Sequence, residues 1–176
     1  MMPPAWREVA IAKAHDRAAF DCGEPVLNDF LKRYARQSHE QGSARTFVAI
    51  DPTADTSKGL GFYSLAPATI AYERAPKTIQ RGLARHEVPG FRLARLAVDR
   101  SQQGRGLGAQ LFGAAARRCI RAASEVGGLI LIIDAKSERA AAWYMTLGAQ
   151  RSTDEALTLI FPLARVAAEL QGRSEY

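Results

Sequence analysis

The stretch Phe91–Gly108, FRLARLAVDRSQQGRGLG, constrains this chain more than any other. Phe91, Leu93, Leu96 and Val98 read as an alternating apolar run, and so as a strand. A polar loop follows, Asp99-Arg100-Ser101-Gln102-Gln103, and then Gly104-Arg105-Gly106-Leu107-Gly108, after which Ala109–Ala123 reads as a helix. Strand, glycine-rich turn and helix N-terminus, in that order, make an anion site. Glycines let the backbone come close to a ligand. The first N–H groups of a helix have no internal acceptor, and its dipole favours negative charge there. A diphosphate is the natural occupant.

More than one glycine motif competes for the stretch. A Walker A loop requires Lys-Ser or Lys-Thr after its last glycine, whereas Leu107-Gly108-Ala109 follows Gly106, which excludes it. Gly104-x-Gly106-x-x-Ala109 satisfies a dinucleotide fingerprint in the letter. That fingerprint, however, follows its strand almost directly and opens a long series of βαβ units. Here a polar loop intervenes, and only one more strand-helix-strand follows. The third reading is Gln103-Gly104-Arg105-Gly106-Leu107-Gly108 as Gln/Arg-x-x-Gly-x-Gly/Ala. The plain alternative is a tight strand-to-helix turn without a ligand.

The rest of the chain bounds the choice. Its 176 residues, 47% hydrophobic, suit one domain with a real core, 1–176. The two cysteines, Cys22 and Cys119, make neither a disulfide framework nor a metal cluster, so no metal site is expected. Cys119 shares helical spacing with Leu111, Phe112 and Ala115 and reads as a buried thiol. The first residues, MMPPAWREVA, lack the pattern of a secretory leader, and no apolar run is long enough for a membrane span. A cytoplasmic protein with no membrane partner is the expectation. The net charge of +6 favours an anionic partner.

Hydrophobic periodicity supplies the elements. Trp6–Ala12 reads as a strand and Val26–Gln41 as a helix with Leu27, Phe30, Leu31 and Tyr34 as its apolar stripe. Lys32, Arg33 and Arg36 fall off that stripe as a basic face. Ala44–Ile50 and Leu60–Leu65 read as hairpin strands, with Ala68–Glu73 as an extension, and Thr78–Arg85 as a short helix. After the central helix, Leu129–Ile133 (LILII) is a buried strand and Glu138–Thr146 a helix capped by Ser137. Ala156–Phe161 is the last strand and Leu163–Leu170 a terminal helix. The order gives an α/β domain around one mixed sheet.

The Gln103–Gly108 pattern resembles the pyrophosphate loop of GNAT-type N-acetyltransferases. The segment Asp134–Ala149 is similar to a second signature of that superfamily, with Ala140, Tyr144, Leu147 and Gly148 on its positions and Ser137 where many relatives carry Asn. Five further phrases narrow the match: Phe20-Asp21-Cys22-Gly23, Leu27-Asn28-Asp29-Phe30-Leu31, Thr46-Phe47-Val48, Gly61-Phe62-Tyr63-Ser64-Leu65 and Arg95-Leu96-Ala97-Val98-Asp99. They resemble the acetyltransferase toxins of bacterial toxin–antitoxin pairs.

The resemblance implies a GNAT-like acetyltransferase fold, a central mixed, mostly antiparallel sheet flanked by helices. It implies acetyl-CoA as cosubstrate, no metal, and transfer of acetyl to the α-amino group of aminoacyl-tRNA, which blocks translation. It implies a ribbon-helix-helix antitoxin, operator DNA reached only through the antitoxin complex, and a homodimer. Gly104, Arg105, Gly106, Leu107 and Gly108, with Gln103, are expected to hold the pyrophosphate. Leu96, Ala97 and Val98 are expected to meet the pantetheine arm and the thioester carbonyl, and Ser137 and Ala140 to touch the coenzyme. Tyr144 is the expected general acid for the leaving thiolate. Glu73, Glu87 and Asp99 are possible bases, none with a motif behind it. Lys32, Arg33, Arg36, Arg81, Arg85, Arg92 and Arg95 are the expected tRNA contacts. Two other readings stay open: a GNAT acting on a small amine or protein N-terminus, and a basic nucleic-acid-binding module that keeps the fold without chemistry.

Overall fold

Strand β1 (Arg7–Ala10) pairs antiparallel with β2 (Arg45–Ile50), Val9 opposite Val48. The next strand, β3 (Gly59–Ile70), returns antiparallel to β2, Phe47 opposite Tyr63. The computed structural model describes residues 4–54 and 58–173 of the chain. Strands β4 (Val88–Val98), β5 (Ile130–Asp134), β6 (Gln150–Arg151) and β7 (Thr158–Pro162) complete a seven-stranded sheet in the order β1-β2-β3-β4-β5-β7-β6. The β4–β5 pair is parallel, whereas β1–β2, β2–β3, β5–β7 and β6–β7 are antiparallel. This is the mixed, mostly antiparallel sheet expected.

The chain packs as two units, Met1–Ala66 with Ala94–Ala115, and Pro67–Leu93 with Ala116–Tyr176. In the first, helix α1 (Pro25–Asp29) runs into a π-helical turn, Phe30–Tyr34, and on into α2 (Ala35–Gln41). Proline in the first turn suits a helix start, because its missing N–H would have no partner there. The core of this unit joins Phe20, Leu31, Ala35, Val48, Ile50, Phe62 and Ala97. The sequence predicts one continuous helix with Tyr34 on the buried stripe, and here the structure differs. Within the turn the Ala35 N–H reaches back five residues to the Phe30 carbonyl. That extra residue rotates the stripe, so Ala35 is buried and Tyr34 is 52% exposed.

The second unit holds α3 (Lys77–Gln80), β5 to β7, α5 (Glu138–Thr146) and α6 (Leu163–Arg173). Ile130, Ile132 and Ile160 pack with Ile70, Ala75 and Val88. Ile130 to Ile133 are all buried, as a strand covered on both faces requires. Helix α4 (Leu107–Val126) begins two residues before the expected Ala109 and buries Leu111, Ala115 and Cys119 at four-residue spacing. Burial pushes the Cys119 thiol up to about 12, which makes it the inert thiol expected. Other boundaries shift as well. The first strand is Arg7–Ala10 and not Trp6–Ala12, and the short helix is Lys77–Gln80 and not Thr78–Arg85. β5 starts at Ile130 and leaves Leu129 43% exposed, β7 starts at Thr158 and not Ala156, and β6 had no signal in two residues.

Strand β4 changes the phase of its apolar pattern. With side chains alternating between faces, Phe91 and Leu93 share one face, and Leu96 and Val98 the other. The ladder with β5 runs from Gly90↔Ile130 to Leu93↔Ile133, so it ends where the phase changes. Gly90 lies so close to β5 that an added Cβ would stand 2.1 Å from the Ile130 carbonyl oxygen. Gly90→Ala should therefore destabilise by about 3 kcal/mol or more, at the upper end of overpacking costs. Calorimetry should show the melting temperature falling by roughly 6 °C or more.

Candidate active site

The first unit carries the anion loop. β4 ends at Val98, and Asp99 caps a 3-10 turn, Arg100–Gln102, its side chain accepting from the Ser101 N–H. Gly104 and Gly106 have φ of +74° and +85°, the left-handed region that favours glycine, and an added Cβ on either would meet nothing within 4 Å. Helix α4 then starts at Leu107. Among the described residues no carbonyl accepts from the backbone N–H groups of Gln103 to Ala109; the Gln110 N–H is the first to bond, to the Gly106 carbonyl. The turn is therefore a concave run of free donors at a helix N-terminus. Arg105 adds a half-buried guanidinium whose Nη1 donates to Gln102 Oε1 at 2.7 Å, while its buried Nε has no partner. These groups fit a diphosphate.

A network the sequence did not reveal holds this turn. Asp99 is 4% exposed. Its Oδ1 accepts from the Ser101 N–H at 3.0 Å and from the Ser101 hydroxyl at 2.6 Å, and its Oδ2 from the Asp21 N–H at 3.0 Å. Lys58 Nζ stands 3.8 Å away. Burial opposes the Asp99 charge, but the hydrogen bonds from Asp21 and Ser101 outweigh it and hold the carboxyl below the usual carboxylate range. Gln103 Nε2 donates to the Cys22 and Val98 carbonyls, both at 2.9 Å. Asn28 accepts from the Cys22 N–H and donates to Asp21 Oδ1, each at 2.9 Å. The Phe20–Gly23 and Leu27–Leu31 phrases thus brace the anion turn. Their signal was the phrases themselves, which by pattern alone pointed to a family and not to a contact.

The other expected residues of this unit are accounted for as follows. Ala97 is buried, and Leu96 and Val98 are half-buried, on the part of β4 that runs beyond its ladder with β5. Arg95 lies over the Phe30 ring, 4.9 Å from its centroid. Arg33 pairs with Asp29 at 2.9 Å and Arg36 with Glu40 at 3.7 Å, both within the helix. Exposed Lys32 borders a crevice of about 330 Å³ with His15, Asp16, Arg17 and Ala18. Desolvation, helped by the Arg17 charge, holds His15 below its ordinary value.

The second unit carries the expected acid. Ser137 caps α5, its hydroxyl accepting from the Ala140 N–H at 3.1 Å. That bond occupies the Ala140 amide, so both residues already serve the helix. Two turns of α5 carry Tyr144, whose ring meets Trp143 edge-on at 4.8 Å. Tyr144 is half-buried as a residue, yet desolvation pushes its hydroxyl up to about 12. Arg92 pairs with Asp134, and Arg81 and Arg85 are exposed after α3. Glu73 and Glu87 are exposed too, and Glu87 accepts from the Thr69 hydroxyl at 3.2 Å.

No protein-family model matches the chain. A tRNA-acetylating toxin of Mycobacterium tuberculosis (strain ATCC 25618 / H37Rv) is 37% identical over 150 residues, spanning 85% of this chain and 87% of that protein. The chain belongs to the GNAT-type tRNA-acetylating toxins. Solved structures of the family agree in fold. AtaT complexed with acetyl-methionyl-tRNAfMet superposes with a TM-score of 0.88 at 27% identity, covering 94% of this chain and 99% of that one. AtaTR bound with acetyl-CoA gives 0.81 at 29% identity, covering 94% and 98%. An AtaT mutant bound to the C-terminus of its antitoxin AtaR gives 0.78 at 27% identity, covering 93% and 97%.

The Asp99 network generates a pH prediction. Because folding lowers its pKa below the usual value of about 3.9, the stability Asp99 contributes is complete above that value and is lost as pH falls through its folded value. Asp99→Asn should cost about 1–3 kcal/mol at neutral pH. In melting curves the gap between wild type and variant should narrow as pH drops below about 4.

Proposed function

We propose that the chain transfers acetyl from acetyl-CoA to the α-amino group of an amino acid esterified to tRNA. This removes the nucleophile of peptide-bond formation and stops translation. The observation that carries the substrate is kinship with a tRNA-acetylating toxin across most of the chain, because the anion turn alone accepts any coenzyme A ester. The chain is an acetyl-CoA-dependent acetyltransferase, and acetyl-CoA is its cosubstrate. We take residues 1–176 to be a single acetyltransferase domain. By analogy with AtaT and AtaR, an antitoxin silences the enzyme. We take that antitoxin to be of ribbon-helix-helix type, the pair to reach operator DNA only as a complex, and the toxin to be a cytoplasmic homodimer.

The acyl donor supplies an activated thioester. The free N–H groups of Gln103 to Gly108, with Arg105, hold its diphosphate. On the part of β4 beyond its β5 ladder, N–H groups of Leu96, Ala97 or Val98 are the donors for the pantetheine arm and the carbonyl oxygen. Successive N–H groups alternate between strand edges and the Asp99 N–H donates to the Leu60 carbonyl of β3, so those of Leu96 and Val98 face away from β3. Ser137 and Ala140, at the start of α5, are the further candidate contacts for the coenzyme. Lys32, Arg33, Arg36, Arg81, Arg85, Arg92 and Arg95 are the candidate contacts for tRNA, of which Arg33, Arg36 and Arg92 must share their charge with carboxylates.

The attacking amine needs no base. An α-amino group has a reference pKa of about 7.7–8.0, and the neighbouring ester lowers it further. Asp99 is committed to the loop, and Glu73 and Glu87 lie in solvent. Tyr144 keeps its proton at cellular pH. Tyr144 therefore acts as general acid and protonates the leaving thiolate. The attacking nitrogen gives up one proton as the amide forms, which restores the Tyr144 hydroxyl, so amine and thioester become amide and thiol with no net proton released.

Charged bulk tRNA incubated with the chain and labelled acetyl-CoA should yield N-acetyl-aminoacyl-tRNA by mass spectrometry. Label on small amines or protein N-termini, with none on tRNA, would replace the substrate. Tyr144→Phe should leave acetyl-CoA affinity nearly unchanged and slow turnover by about 10²–10⁴-fold. A joint fall in affinity and melting temperature would make Tyr144 a packing residue.

A further inference from the structure

The π turn of the first unit has a consequence beyond the catalytic residues. It carries Phe30 at its start and Tyr34 at its end. The Phe30 ring is fixed by Phe62, stacked at 6.1 Å, and Arg95 lies over it with its guanidinium carbon 4.9 Å from the centroid. Arg95 Nη1 also donates to the Ala94 carbonyl at 2.7 Å. The guanidinium is thus held over the ring, with most of its five N–H donors still available. No carboxylate stands within ion-pair distance of it among the described residues. Tyr34 lies four residues after Phe30, one turn along the same flank of the helix. At 52% exposure, its ring is the largest aromatic surface this flank offers to solvent.

A cation set over the Phe30 ring, with an exposed aromatic ring four residues further along the same helical segment, is the chemistry that receives an unpaired nucleotide. The ring stacks on the base, and the guanidinium takes the phosphate. A helix that needed only to bury Leu27, Leu31 and residue 34 would have no use for the π turn, which takes Tyr34 out of the core. The flank belongs to the unit that carries Leu96, Ala97 and Val98, and Arg95 precedes them directly on β4. We propose that Tyr34 and Arg95 form a platform for an unpaired nucleotide of the tRNA's single-stranded 3′ end, with Phe30 as the residue that positions Arg95. This rests on the tRNA reading above.

The test compares binding of intact deacylated tRNA with binding of the same tRNA trimmed of its unpaired 3′ nucleotides, by fluorescence anisotropy across a salt series. Tyr34→Ala should weaken binding of intact tRNA about tenfold, within the range for one lost base stack, without changing the salt slope. It should scarcely affect trimmed tRNA. Tyr34→Trp should restore binding. Arg95→Ala should weaken intact tRNA and lower the salt slope by about one. Phe30→Tyr should keep Arg95 effective, and Phe30→Leu, which fills the space without a π face, should resemble Arg95→Ala. Acetyl-CoA affinity and melting temperature of Tyr34→Ala should equal wild type. If wild type binds no tRNA, the substrate reading falls and takes the platform with it. If wild type binds tRNA and Tyr34→Ala binds it equally well, or loses intact and trimmed tRNA alike, the platform alone is overturned.

Discussion

Asp99 stands where β4 ends and the glycine turn begins, and both of its oxygens are committed. One accepts from Ser101, backbone and side chain, and the other from the Asp21 N–H. A buried carboxylate is costly unless its lone pairs are met by donors. Here the donors come from two segments far apart in sequence, so the charge that must be satisfied is also the tie between them. Gln103 and Asn28 add the second and third ties. The result is a turn whose own N–H groups, Gln103 to Ala109, have no carbonyl partner among the described residues, because the side chains around it carry the structural load. Such a turn is preorganised for a diphosphate and need not rearrange to receive one.

The chemistry downstream follows from the same economy of protons. The family substrate brings an amine that is partly neutral at cellular pH, and among the described residues of the chain no carboxyl is held above its ordinary value. Its perturbed carboxyls, Asp21, Asp51, Asp99 and Asp154, are all shifted down by the hydrogen bonds they accept. Tyr144 moves the other way, held protonated by burial. A site built from donors suits a reaction in which negative charge develops on the oxygen and then on sulfur.

Much of this was legible in the residues. Of the apolar run LILII, Ile130 to Ile133 form the strand buried on both faces while Leu129 stays outside it at 43% exposure, and the glycines of Gln103–Gly108 make the strand-to-helix turn that was read there. Two features escaped. Tyr34 sits at helical spacing from Leu27, Phe30 and Leu31, and periodicity places it inside; a single i−5 hydrogen bond at Ala35 turns it out, and nothing in side-chain pattern announces that bond. Asp99 read as a loop acid because its partners, Asp21 and Lys58, lie tens of residues away and burial is a tertiary property. One signal was present but misread. Phe91, Leu93, Leu96 and Val98 do not alternate throughout, and the slip between Leu93 and Leu96 marks where β4 leaves its ladder with β5. Sequence also proposed Tyr144 as the acid, and burial holds its hydroxyl protonated at cellular pH, the state that role requires.

The claim on which the rest stands is that the free N–H groups of the glycine turn hold the diphosphate of acetyl-CoA. Isothermal calorimetry of acetyl-CoA with Gly106→Trp tests it most directly, since Gly106 faces open space and a large side chain there fills the cradle without displacing a neighbour. The left-handed φ adds strain of about 1–2 kcal/mol, so the variant should still fold. The account predicts a folded variant that binds acetyl-CoA at least a hundredfold more weakly than wild type. Undiminished binding by the folded variant would place the coenzyme elsewhere and contradict it.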